Sequence, residues 1–200
     1  MKELLKEKEL SKNTVETFVK GMLTKHAIPF HTWGKGEAKT VEHLIKEVED
    51  GECTLIEDAE GRLLRKLETI VLWVWYTNQQ TKERHLLKEA KQVFIDGRER
   101  IRNFPDSNSL AEKVKPGEDI DKGVIRALRE ELGVQGDIRM TNKGDKTYEK
   151  ISMSYPGLSS QYIVHQYTVD ISSKDFQPEG YKEEQPDKTT YFAWGKQEEA

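Results

Sequence analysis

The chain has 200 residues, 35% hydrophobic and 34% charged, with a formal net charge of −4. That is enough for one domain of ordinary size with a small appendage. Acids and bases are mixed along it, which argues against a nucleic-acid polymer held by bulk positive charge, whereas a nucleotide-sized ligand needs no basic excess.

Cys53 is the only cysteine. An internal disulfide and a C-x-x-C metal pattern are therefore excluded, and a reducing compartment is the simple reading. The start, MKELLKEKEL, lacks the apolar core of a signal peptide, and the longest apolar run, Thr69 to Tyr76, is too short to cross a bilayer. A cytoplasmic protein with no membrane partner is expected.

In chain order, residues 1–10 are charged and expected to fray. Val15, Phe18, Val19, Met22 and Leu23 recur at helical spacing and predict a helix over 12–26, ended by Pro29. A turn-rich link, residues 31–36, leads to a second helix at about 40–50, with Thr40 as N-cap, Leu44, Ile45 and Val48 on one face, and Gly51 as its stop. These helices form an N-terminal extension, residues 1–51.

From residue 52 the period changes to two. Strands are predicted at Cys53–Glu57, Leu63–Tyr76 and His85–Phe94, separated by the turn Asp58–Gly61 and the connector 78–80. Leu87, Ala90 and Val93 or Phe94 are expected to face inward, and the Trp73–Trp75 pair to be core or a packed interface. Asp96-Gly97 marks a turn, and Arg98 to Ser109 reads as irregular. A helix over about 120–132 follows, then strands near 136–140, 147–154, 160–171 and 189–194. Strands, one helix and strands again define an α+β domain over residues 52–200.

The segment Glu112–Val134, EKVKPGEDIDKGVIRALREELGV, carries the chemistry. Pro116-Gly117 turns the chain so that Glu118 sits just before the helix, Asp119 is the N-cap, and Gly133 supplies a left-handed stop. At ~100° per residue, Ala127, Glu130 and Glu131 share one edge of the helix, beside an apolar stripe of Ile120, Val124, Leu128 and Leu132. Arg126 lies four residues before Glu130 and is placed to hold that carboxylate. Adjacent glutamates alone are commonly solvated surface groups; here the whole spacing changes the reading.

The segment resembles the box of the Nudix family, G-x5-E-x7-R-E-U-x-E-E-x-G-U with U bulky and apolar. Glu118, Arg126, Leu128, Glu130, Glu131, Gly133 and Val134 match it without a gap, while Glu112 stands where the family has Gly and Ala127 where it has Glu. The resemblance implies a Nudix-type mixed-sheet α/β/α sandwich carrying the small N-terminal helical extension. It also implies metal-dependent hydrolysis of a nucleoside-diphosphate-linked or similar diphosphate small molecule. Glu118, Glu130 and Glu131 would hold Mg²⁺ or Mn²⁺, and Glu130, Glu131 and Arg126 would form the catalytic group. Hard cations of this kind take oxygen ligands and lower the pKa of bound water. Ala127 removes one family carboxylate, so a non-catalytic Nudix-fold module for ligand binding or protein interaction stays open as the alternative. Glu112 has two readings, a replacement charge or a block to close backbone approach. The partner implied is a small phosphorylated ligand, and a homodimer is left open.

Arg98, Arg100 and Arg102 alternate, so an extended chain would present them on one face as phosphate contacts; a solvated strand face is the plainer reading. The loop Gly34-Lys35-Gly36 lacks P-loop spacing, G-x-S-x-G is absent, and His26, His31, His43, His85 and His165 are scattered without a ligand pattern.

Overall fold

The structure, a computed structural model, describes residues 2–36, 38–101 and 108–196, with the side chains of 2–12 and of 196 set aside. Among the described residues three α-helices and nine strands follow in chain order: α1 (Lys2–Lys25), α2 (Val41–Glu49), β1 (Thr54–Glu57), β2 (Leu63–Thr77), β3 (Arg84–Phe94), β4 (Glu99–Ile101), β5 (Leu110–Lys113), α3 (Ile120–Leu132), β6 (Ile138–Ile151), β7 (Ser159–Ile171), β8 (Tyr181–Glu184) and β9 (Lys188–Lys196). The architecture is the mixed α and β one, built on a central sheet, that the sequence predicts. The strands form one sheet of order β6-β7-β2-β3-β9-β8, with β1 and β5 paired to β2 and β4 paired to β3.

Two compact units divide the chain, residues 1–68 with 146–163, and residues 69–145 with 164–200. In the first, Thr40 caps α2 in a reciprocal capping box with His43, and Leu44 and Ile45 are buried from that helix. They join Val19 and Leu23 of α1, Trp33, Cys53, Leu55, Leu63, Leu67, Tyr155 and Leu158 in one apolar cluster. Inside it Glu47 accepts from Arg65 at 2.6 Å and from Lys39 at 2.8 Å. A carboxylate and a guanidinium this buried persist because their charges are paired.

In the second unit, Ile70, Leu72, Val74 and Tyr76 of β2 alternate onto a core shared with Leu87, Val124, Ala127, Leu128, Leu132, Tyr167, Val169 and Phe192. Trp73 and Trp75 therefore fall on the other face of β2 and are half-buried, which rules out the core alternative of the expected core or packed-interface placement. Trp75 instead carries the Arg84 guanidinium, 4.1 Å above its ring. On β3 Leu87 is buried as expected, but the register shifts between Glu89 and Lys91, so that Gln92 is buried and not Val93 or Phe94. Short pairing of β2 with β3, Trp75 to Thr77 against Leu86 to Arg84, leaves the rest of β2 free to pair with β5. Ser109 fills the fork: its Oγ donates to Leu87 O at 2.6 Å and accepts from Val74 N at 2.8 Å. This places β5, and with it Glu112 opposite Ile70, beside the box helix.

Candidate functional site

The site is built on α3, whose bounds coincide with the predicted ones. Asp119 accepts from Lys122 N at 3.1 Å as N-cap, and Gly133 closes the helix at φ 67°. Val124, Leu128 and Leu132 are buried with Ile120 packed beside them, and Ala127 is fully buried with them. Gly123 lets the helix approach β2: a Cβ there would lie 2.5 Å from Ile70 Cδ1 and 3.2 Å from Glu118 Oε2. This signal was available in the sequence, since a glycine inside an amphipathic helix costs stability unless close packing requires it.

The three carboxylates grouped by the sequence fall into two sets. Arg126 donates from Nε to Glu118 Oε1 at 2.7 Å, from Nη2 to Glu118 Oε2 at 3.0 Å, and from Nη1 to Glu130 Oε2 at 2.9 Å. It also donates from Nη2 to Lys113 O at 2.8 Å. Glu118 further accepts from Lys115 N at 3.0 Å, and Lys115 Nζ lies 3.3 Å from Glu130 Oε1. These donors, the Arg126 hydrogen bonds first, hold both carboxyls below the usual range, and the same bonds raise Arg126.

Glu131 belongs to the second set. Burial first, then the carboxylates of Glu183 and Glu112, a hydrogen bond with Glu112, and Glu89 push its pKa up to about 8. Three strands supply these neighbours, β3, β5 and β8, none of them in the box helix. Glu112 links the two sets. Its Oε1 is 3.7 Å from Arg126 Nη1 and accepts from Lys113 N at 3.0 Å, while burial raises its pKa against the pull of Arg126. Sequence reasoning missed Glu89 and Glu183 because pairing of β3 and β8 with β9, and not chain proximity, brings them to the site.

Among the described residues no group of three or more His, Cys, Asp or Glu stands as a ready-made metal centre. The donor chemistry around Glu131 nevertheless suits a hard cation: the neighbours are carboxylate oxygens, and their mutual repulsion is what a divalent charge relieves. Arg98 pairs with Asp96 at 2.7 Å and lies 5.3 Å over the Phe94 ring; Arg100 sits opposite Gln92 on β4; Arg102 lies outside the described residues. Three of the histidines take structural places, His43 in the α2 cap, His26 2.8 Å from Glu57 and His165 2.8 Å from Asp145. No helix among the described residues is long and apolar enough to cross a membrane.

No family model and no curated protein matches the sequence. Solved structures do. An Ap4A hydrolase from C. elegans is 12% identical with a TM-score of 0.36, covering 65% of this chain and 80% of its own. A Nudix hydrolase from M. smegmatis, RenU, is 11% identical with a TM-score of 0.33, covering 72% of this chain and 79% of its own. A MutT/nudix family protein from Enterococcus faecalis is 15% identical with a TM-score of 0.40, covering 82% of this chain and 53% of its own.

Proposed function

We propose that the second unit binds a diphosphate-linked small molecule of the nucleoside-diphosphate class together with Mg²⁺ or Mn²⁺, and hydrolyses the diphosphate. The observation that carries this reading is Glu131, half-buried on the box helix among the carboxylates of Glu112, Glu183 and Glu89. A carboxyl kept protonated by burial and then by its neighbours is a group poised to exchange that proton for a divalent charge. When bound, the cation would neutralise phosphate oxygens and lower the pKa of a water molecule.

Each residue of the chain then has a task. Glu131 would hold the cation, with Glu130 one position earlier on the helix. Arg126 positions Glu130 and ties the Glu118 turn to the helix. Attack of water on phosphorus forms a P–O bond as the bridging P–O bond breaks, and a site carboxylate accepts the proton released by the water. A cation bound through the substrate phosphates would need few ligands from the protein.

Burial of Ala127 in the core favours a second reading, a Nudix-fold module that binds the same ligand without turnover. Turnover of a panel of diphosphate compounds, with and without Mg²⁺ or Mn²⁺, in wild type and Glu131→Gln separates the two. Metal-dependent turnover lost in Glu131→Gln supports the hydrolase. Binding without turnover supports the module, and neither binding nor turnover removes both.

A further inference from the structure

The second unit carries a cleft away from the box segment. The ends of β2 and β7 and the start of β6 enclose about 510 Å³, lined by Thr77, Gln79, Asp137, Arg139, Asp170 and Ser172, with two isoleucines as the apolar part of the wall. That volume is in the range of small-molecule sites. Glu112 of the box segment pairs with Ile70 of β2, and Thr77 lies further along the same strand, about 23 Å away at ~3.3 Å per residue. Tyr76 of β2, Val169 of β7 and Ile138 of β6 face the core of the unit. The alternate residues Thr77, Asp170 and Arg139 therefore share the opposite side of the sheet. Arg84, the cross-strand partner of Thr77, lies 4.1 Å over the Trp75 ring and donates to Asp170 at 3.2 Å, so that this pair is committed. Arg139 and Asp137 are both exposed, and among the described residues no side-chain hydrogen bond or ion pair engages either charge.

The charges around the cleft cancel, Arg84 and Arg139 against Asp137 and Asp170, so a polyanion gains nothing there. The polar groups divide into one free donor fork and a set of acceptors. Ser172 Oγ already donates to Asp175 Oδ2 at 2.7 Å, and Gln79 Nε2 to Thr77 O at 3.2 Å, which leaves their oxygens as acceptors beside the Asp137 carboxylate. A guanidinium fork matches a carboxylate, and an ammonium has three protons to give to such oxygens. From this arrangement we infer that the cleft binds a small zwitterion of the α-amino acid type, its carboxylate on Arg139 and its ammonium on Asp137 with the oxygens of Ser172 and Gln79. This cleft and the box site share no residue, so either can fail without the other.

The test is titration of the common amino acids, one at a time, into the full chain, followed by calorimetry and by amide NMR, for wild type, Arg139→Gln and Asp137→Asn. Both side chains are exposed, and thermal melting verifies that each variant folds. Saturable binding of at least one amino acid is expected, with amide shifts concentrated at residues 77–79, 137–139 and 170–172. The methyl ester and the N-acetyl derivative of that amino acid each lack one of its charges. Each is expected to bind wild type about tenfold or more weakly, the scale of one charge-assisted hydrogen bond. The unmodified amino acid is expected to lose as much on either variant. A derivative that binds as well as its parent, or unchanged affinity in both variants, overturns recognition of the zwitterion. Shifts confined to other residues overturn the location. Glucose or inorganic phosphate bound at these residues in place of every amino acid overturns the ligand class, and no binding by any amino acid overturns the site.

Discussion

Arg126 holds Glu118 in a two-pronged ion pair, Nε to Oε1 at 2.7 Å and Nη2 to Oε2 at 3.0 Å. The pair fastens the turn that precedes α3 to the middle of the helix, and the remaining Arg126 proton donors reach Glu130 and the Lys113 carbonyl. One guanidinium thereby fixes the end of β5, the turn and the helix relative to one another. Lysine keeps the charge but not the planar fork. Arg126→Lys is expected to destabilise the protein by about 1–3 kcal/mol, the range for losing charge-assisted hydrogen bonds in a poorly exposed setting, as measured by urea denaturation. An unchanged urea midpoint would show that the fork has no part in holding the site.

The pH dependence of the metal-free protein follows from opposite shifts on α3 and in the turn that precedes it. Glu131 retains its proton up to about 8 when folded, against an ordinary value of 4.5. Between these values the folded state binds more protons than the unfolded one, so its contribution to stability is complete below the lower value and is lost as pH rises through the upper one. Glu118, lowered by Arg126, acts in the other direction: its stabilisation is present above the ordinary carboxyl value and lost as pH falls through its folded pKa. In EDTA, the melting temperature is expected to fall from pH 5.5 to pH 8.5. Glu131→Gln is expected to flatten that decline and to melt above wild type at the alkaline end. A wild-type slope retained in Glu131→Gln would place the responsible group elsewhere.

Glycine-to-alanine changes in two helices should have opposite signs. Gly21 lies on the exposed side of α1 with open space where a Cβ would be, so alanine should stabilise by about 0.5–1 kcal/mol through helix propensity. At Gly123 the new Cβ would come within 2.5 Å of Ile70 Cδ1, and Ile70 is itself fully buried, so its shift would disturb the surrounding core. Overpacking of about 1–3 kcal/mol outweighs the propensity gain there. Thermal melts of the two single variants check the sign of each.

In the first unit the buried Glu47–Arg65 pair, 2.6 Å apart, supplies a further stability test. Glu47→Ala leaves a guanidinium buried without its carboxylate, and a loss of about 3–5 kcal/mol is expected. Replacing both residues with apolar groups, Glu47→Leu with Arg65→Met, is expected to recover most of that loss. Chemical denaturation of the single and double variants measures it; a double variant no more stable than Glu47→Ala would contradict the pairing argument.

The helices were legible in the sequence where caps and apolar period agreed. Asp119, the stripe from Ile120 to Leu132, and Gly133 define α3, and Thr40 with Leu44 and Ile45 defines α2. Strands with hydrophobic alternation, β2, β7 and β9, were legible as well. The short polar strands were not. Neither Leu110–Lys113 nor Tyr181–Glu184 has an apolar period of its own, because each is defined by its neighbour, β2 for one and β9 for the other. The single strand Ile138–Ile151 reads in the sequence as two, because Asn142-Lys143-Gly144-Asp145 has the composition of a turn and the strand is exposed along most of its length. The site divides in the same way. Arg126 with Glu130 was readable from helical spacing, whereas the surroundings of Glu131 depend on strand pairings that no local pattern encodes.

The most direct measurement is the anomalous diffraction of Mn²⁺ in crystals grown with the ion and a nucleoside diphosphate. The account predicts an anomalous peak within ligand distance of the Glu131 carboxylate, on the side facing β5. A peak bound only by Glu118 and Glu130 with Arg126 displaced, or no peak at this helix in crystals that hold the nucleotide, would contradict it.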